Sequence, residues 1–203
     1  MKHLRYICLS GASFKELPQS IGSLRSLQIL TISSCRNLAT LPTSLGGLLN
    51  LQELEIIQIG ELACVMESMQ HLLSTIQKLR IYSNAMTVLP ETMRGLMSLQ
   101  SLKIECCESL SSLGEGLRGL TALRELYIWC CSNLGCTPEY MGSLTSLQYL
   151  DIMGCPHLER RCEREKGEDW QPISHIPHIN INFLELPVVE LTDNLRLKKR
   201  RSV

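Results

Sequence analysis

The chain has 203 residues, with 20 Lys+Arg against 20 Asp+Glu and no net formal charge. Neutrality speaks against a protein that grips nucleic acid by its phosphates, and no stretch reaches the roughly 20 apolar residues of a membrane span. Leucine fills 37 positions while Phe, Tyr and Trp supply only 2, 5 and 2, so the core uses one aliphatic side chain in environments that recur.

The N-terminus, Met1-Lys2-His3-Leu4-Arg5-Tyr6, is charged where a secretion signal needs an apolar run. The chain lacks Asn-x-Ser/Thr acceptors, and its ten cysteines are read as reduced thiols of a cytoplasmic protein.

From Leu4 onward the chain repeats itself. Units start at Leu4, Leu27, Leu51, Ile76, Leu99, Leu123 and Leu147, at spacings of 23, 24, 25, 23, 24 and 24 residues. Three places after each start stands Ile7, Leu30, Leu54, Leu79, Leu102, Leu126 or Leu150, and two further on Leu9, Ile32, Ile56, Ile81, Ile104, Ile128 or Ile152. The pattern L-x-x-L-x-L predicts one short strand per unit, with its apolar side buried and the alternate side chains facing solvent.

The second half of most units carries an apolar step of three, as in Leu17-Pro18-x-x-Ile21-x-x-Leu24, Leu41-Pro42-x-x-Leu45, Leu89-Pro90-x-x-Met93, Leu113-x-x-x-Leu117 and Thr137-Pro138-x-x-Met141. That step predicts a short helical or 3-10 turn on the outer side, which proline can open. The third unit departs, because Leu62-Ala-Cys-Val-Met-Glu-Ser-Met lacks the Leu-Pro step, and local irregularity is expected there.

A coil of 24 residues cannot bury its own leucines. Successive coils must therefore stack, with strands about 4.8 Å apart, into a curved solenoid that shares one core. The residue eight places after each start should point inward: Ala12, Cys35, Ile59, Asn84, Cys107, Cys131 and Cys155. Four thiols in that slot are read as weak donors tolerating burial. Stacking would bring Cys106 near Cys130, and Cys107 near Cys131, so air oxidation would be an artefact of purification.

The repeat ends abruptly. Residues 159–203 hold 17 charged side chains, against 23 in the first 158. The division is a repeat array over 1–158, a terminal cap over 159–182 and a charged, flexible tail over 183–203. In the cap a short helix is expected from about His157 to Lys166, ended by Gly167, with Trp170, Ile173 and Ile176 covering the last coil.

These motifs resemble the leucine-rich repeat, an α/β solenoid. The resemblance implies a right-handed superhelix with a parallel sheet on its concave face, and short helices and loops on its convex face. The cap resembles something narrower: Gly154-Cys155-Pro156-His157-Leu158, Arg161-Cys162, Gly167-Glu-Asp-Trp170 and Ile176-Pro-His-Ile179 look like the closing segment of plant coiled-coil nucleotide-binding leucine-rich-repeat disease-resistance receptors. That resemblance implies an intracellular immune receptor whose repeats sense a pathogen effector or a guarded host protein and hold a nucleotide-binding switch inactive. The sequence has no G-x-x-x-x-G-K-[ST] loop, so the nucleotide-binding domain would be a partner supplied elsewhere in a full-length receptor. The first coil also starts without a cap, as expected of a fragment.

Binding belongs on the concave face, where the outward strand positions are free to vary. The candidate residues are Arg80, Tyr82, Lys103, Glu105, Tyr127, Trp129, Tyr149 and Asp151, whose aromatic and charged mixture has the composition of a protein-binding hot spot. Ordinary cross-strand ring packing is the alternative explanation of those rings. There is no catalytic Ser/His/Asp set, paired carboxylate or metal-ligand spacing, so the chain is read as a non-enzyme without cofactor. Cys155, His157, Cys162, His175 and His178 fit no paired zinc motif, which weighs against a zinc hydrolase. The other alternative is a general intracellular repeat scaffold of the Ras-signalling kind. The run Lys198-Lys-Arg-Arg201 is read as solvated terminus, with nuclear import as the lesser reading.

Overall fold

The structure, a computed structural model, describes residues 3–60, 62–72 and 74–182, without the side chains of residues 63, 70 and 71. The tail over 183–203, with its basic run, lies outside the described residues.

Each L-x-x-L-x-L unit forms a five-residue strand: β1 Tyr6–Ser10, β2 Ile29–Ser33, β3 Glu53–Ile57, β4 Lys78–Tyr82, β5 Ser101–Glu105, β6 Glu125–Trp129 and β7 Tyr149–Met153. An eighth, β8 His178–Asn182, follows in the cap, and all eight pair in parallel in chain order. The register matches equivalent positions without a slip, for example Leu102 with Leu126 and Ile104 with Ile128. A one-residue slip would turn the apolar file out to water, so burial of that file enforces the register. Leu30, Leu54, Leu102, Leu126 and Leu150, with Ile32, Ile56, Ile104, Ile128 and Ile152, are 0 % exposed. This is the solenoid expected from the repeat.

The outer turns follow their prolines. The 3-10 runs Gln19–Ser23, Thr43–Gly47, Glu91–Gly95 and Glu139–Ser143 each begin directly after Pro18, Pro42, Pro90 or Pro138, at φ between −60 and −70°. Proline supplies that φ without loss of a donor, and its carbonyl accepts the first N–H of the turn, as from Ile21 to Pro18 at 3.0 Å. The unit starting at Leu99 has no proline there. Residues 114–119 form plain turns with Gly114 and Gly119 at positive φ, so the 3-10 turn expected there does not form. Adjacent outer turns pack closely: a Cβ on Gly22 would lie 2.1 Å from the Ser44 carbonyl oxygen.

The third unit is irregular, as expected, but ordered. Helix α1, Leu62–Glu67, runs into a 3-10 turn, Ser68–Leu72, and together they bury Leu62, Val65, Met66, Met69 and Leu72. Their spacing places them on one helical face. Elsewhere on the back of the solenoid the chains touch through single parallel bridges, Glu16 with Thr40 and Val88 with Ser112. At the start of the 3-10 turn after α1 the Ser68 hydroxyl takes over instead, accepting the Leu41 N–H at 2.8 Å.

The inward slot works as expected at its cysteines. Cys155 Sγ donates toward the Ile128 carbonyl of the preceding coil at 3.5 Å and accepts the Cys131 N–H at 3.3 Å. Cys131 reaches Ile104 O at 3.9 Å, and Cys35 reaches Leu9 O at the same distance. Hydrogen bonds to Cys107 and Cys155, together with burial, push the Cys131 thiol up from its ordinary value. All ten cysteines are free thiols.

Asn84 breaks the pattern. It is exposed, and Ser83 is the inward residue at 1 % exposure. The other six coils place a left-handed residue seven places after the start: Gly11, Ser34, Gln58, Cys106, Cys130 and Gly154. Ser83 is not among the positive-φ residues, so the turn out of β4 lacks that extra step and every later position advances by one.

The cap also differs from expectation. Helix α2 spans only Pro156–Arg161, because the Arg161 carbonyl accepts the Asp169 N–H at 2.8 Å and the loop between them folds back on the helix end. A Cβ on Gly167 would meet that same carbonyl at 2.0 Å, so the glycine serves the close approach and not the helix stop. Helix α3, Trp170–Ile173, follows. Ile173 and Ile176 are buried and Trp170 packs partly buried against the core, covering the last coil.

Candidate protein-recognition face

The outward side chains of the strands form three columns. The first runs Glu53, Lys78, Ser101, Glu125, Tyr149, His178; the second Glu55, Arg80, Lys103, Tyr127, Asp151, Asn180; the third Ile57, Tyr82, Glu105, Trp129, Met153, Asn182. All eight candidate residues therefore stand on one continuous surface across β4 to β7. With β3 included, carboxylates outnumber cations on this face: Glu53, Glu55, Glu105, Glu125 and Asp151 against Lys78, Arg80 and Lys103.

At one end the charges are internally satisfied. Arg80 donates to Glu105 Oε2 from Nε at 2.9 Å and from Nη2 at 2.6 Å, and reaches Glu55 Oε1 with Nη1 at 3.4 Å. Thr31 Oγ1 donates to the other Glu55 oxygen at 2.9 Å. Burial works against the Arg80 charge, yet the two carboxylates hold the guanidinium above its ordinary value. The Glu105 side chain is only 4 % exposed and its Oε2 accepts twice from Arg80, so its charge is already compensated and serves to position Arg80. Tyr82 is half-buried, its hydroxyl accepting from Gln58 Nε2 at 3.2 Å.

At the other end the rings gather. Tyr127 lies 5.6 Å from Trp129, edge-on at 76°, and 5.5 Å from Tyr149, tilted at 41°. Lys103 Nζ sits 4.8 Å from the Tyr127 centroid and 5.8 Å from that of Trp129, within cation–π reach. All three rings are half-buried. Cross-strand ring packing is thus present, and it leaves the ring surfaces partly open. Asp151 stands beside them at 8 % exposure and accepts from Asn180 Nδ2 at 3.2 Å. Burial pushes its carboxyl up from the ordinary value, against the pull of Trp129 and Asn180. The Trp129 indole N–H is buried without a hydrogen-bond partner.

Sequence reasoning passed over Glu55, Thr31, Glu125 and Asn180. Asn180 was missed with β8, although Ile176-x-x-Ile179-x-Ile181 repeats the strand motif 29 residues after Leu147, a wider interval than the array uses. In the cap, His175 contacts the Pro172 and Leu144 carbonyls at 3.0 and 3.3 Å, while His157 and His178 are exposed. Among the described residues no three His, Cys, Asp or Glu side chains converge as a metal site, and no helix is long and apolar enough to cross a membrane.

The model of the family described as "Leucine-rich repeat region" matches residues 1–78 and 38–190. No curated protein sequence matches the chain. Among solved structures it is similar to an internalin of Listeria monocytogenes, at 16 % identity, TM-score 0.49 and coverage of 88 % of this chain and 54 % of that one. It is likewise similar to a leucine-rich-repeat protein of Leptospira interrogans, at 19 % identity, TM-score 0.43 and coverage of 94 % and 58 %. The leucine-rich repeat domain of the type III effector XopL matches at 20 % identity and TM-score 0.43, over 75 % of this chain and 53 % of that one. The chain thus spans little more than half the length of these neighbours. With the repeat motif, the parallel ladder and the matched residues in agreement, the chain belongs to the leucine-rich repeat family, a protein-interaction scaffold.

Proposed function

We propose that this chain is the protein-recognition region of a plant intracellular immune receptor of the coiled-coil nucleotide-binding class. It would sense a pathogen effector or a guarded host protein through its concave face and contribute to autoinhibition. The observation that carries the recognition role is the cluster of half-buried rings and charges on β4 to β7, on the one broad surface the repeat leaves free to vary. Buried aromatic anchors of this kind contribute about 2 kcal/mol or more each to a protein interface. The receptor assignment rests on the cap residues Cys155-Pro156-His157-Leu158, Arg161-Cys162 and Gly167-Glu-Asp-Trp170. In the structure these residues close the last coil, where Asp169 ties Arg161 to the Thr137 N–H at 2.7 and 2.6 Å.

Two experiments test the proposal. Trp129→Ala and Tyr82→Ala should abolish capture of protein partners from a plant extract, with Leu126→Ala as a core control; unchanged capture removes the concave face. Sequencing the gene upstream of Met1 should reveal a phosphate-binding loop. A stop codon followed by an amphipathic capping segment would point instead to an independent scaffold.

A further inference from the structure

The aromatic end of the concave face carries negative charge that its surroundings leave open. Asp151 lies in register with Tyr127 and is nearly enclosed, yet among the described residues it forms no ion pair; its hydrogen-bond donor is the neutral Asn180. Glu125, in register with Tyr149, accepts the Tyr127 hydroxyl at 3.4 Å. The cation in register with Tyr127 is Lys103 of the neighbouring strand, whose Nζ lies 4.8 Å from the Tyr127 ring centroid. The contrast with Arg80 is chemical: there each carboxylate has a guanidinium contact, and here neither forms an ion pair among the described residues.

An apolar partner pressed onto this end would strip the remaining water from Asp151 without replacing it, which is costly for a charged group. An acidic partner would add repulsion from Asp151 and Glu125. A guanidinium satisfies both features together, because its plane stacks on an aromatic ring while its N–H edge donates to a carboxylate. We propose that Tyr127, Trp129, Tyr149 and Asp151 form a subsite for one arginine side chain presented by a protein partner. The proposal rests on the concave face being the recognition surface and names the chemistry that the face selects.

The test uses the full chain carrying Trp170→Phe, so that Trp129 is the sole tryptophan, and follows its fluorescence. The probes are acetyl-Ala-Arg-Ala-Arg-Ala-amide and its Glu and Gln counterparts at one ionic strength. The arginine peptide should give a saturable change and the others none. Asp151→Asn should weaken binding by about tenfold, the loss expected when one charge-assisted contact is removed. Lys103→Met, which deletes the competing cation, should strengthen it. Circular dichroism confirms that each variant is folded; if Asp151→Asn is not, Glu125→Gln and Lys103→Met carry the test with opposite expected signs. An equal response to the glutamate peptide, or no effect of these variants, overturns the subsite. If Trp129→Ala removes partner capture while the arginine peptide gives no response, the recognition face stands and the subsite falls. If the peptide binds while capture survives Trp129→Ala and Tyr82→Ala, the arginine-binding chemistry stands, and the recognition face falls together with the site's role in holding a partner.

Discussion

Arg80 on β4 donates twice to a single oxygen of Glu105 on β5, at 2.9 and 2.6 Å, and that carboxylate is almost wholly enclosed by the contact. Replacing one partner leaves the other charge buried without compensation. Arg80→Met should cost about 2–3 kcal/mol in urea unfolding, in the range of hydrogen bonds to charged groups. Restoring neutrality with Glu105→Gln in the same chain should recover part of the loss, and a double-mutant cycle measures the coupling.

The thiol ladder makes a second prediction. Cys155→Ala removes the acceptor of the Cys131 N–H and a donor to the Ile128 carbonyl, in a site with no water access. About 1–3 kcal/mol of stability should be lost, whereas Cys155→Ser, which keeps a donor and an acceptor, should lose less. Equal losses for the two variants in thermal unfolding would mean that the sulfur is only filling space.

Ser83 should behave in the opposite sense. It is buried by the shortened turn after β4, and its hydroxyl has no hydrogen-bond partner. Ser83→Ala should be neutral or stabilising by up to about 1 kcal/mol, because the unsatisfied group carries a desolvation cost in the folded state. A clear loss in the unfolding midpoint would contradict that account.

Asp151 predicts an unusual pH response. Its folded carboxyl is raised by burial, so the folded chain holds this proton more tightly than the unfolded chain does. By linkage its contribution to stability grows as pH falls through the raised folded value and levels off below the unfolded one. Asp151→Asn should therefore leave neutral-pH stability unchanged or higher but remove the gain on acidification, so that stability falls more steeply toward acid in the variant than in the wild type, as read from unfolding midpoints between pH 3 and pH 7. A sharper acid loss in the wild type than in the variant would reverse the sign and refute the reading.

Gly22 tests the packing of the back. A methyl there meets the Ser44 carbonyl oxygen at 2.1 Å, a backbone group that cannot rotate away. Gly22→Ala should cost about 1–3 kcal/mol through overpacking, while Gly142→Ala, whose nearest neighbour would lie at 3.5 Å, should be tolerated.

The periodic positions told most of the fold in advance. Leu102, Leu126 and Leu150 can be buried only by like neighbours, so period and alternation together dictate parallel stacking and, with it, which side chains share the open face. The prolines at 18, 42, 90 and 138 dictated the outer turns by their own φ, and the absence of one before Gly116 left that turn unformed. What depended on the tertiary structure was everything set by close contact between coils. The left-handed step missing at Ser83 moved the inward slot off Asn84, the Arg161–Asp169 contact shortened α2, and His178 to Asn182 joined the sheet as β8. The Glu55–Arg80–Glu105 cluster and the uncompensated charge of Asp151 likewise arise from distances between strands. Backbone periodicity is a local property repeated along the chain, whereas desolvation, charge pairing and turn length are decided by what the neighbouring coil brings within a few ångströms.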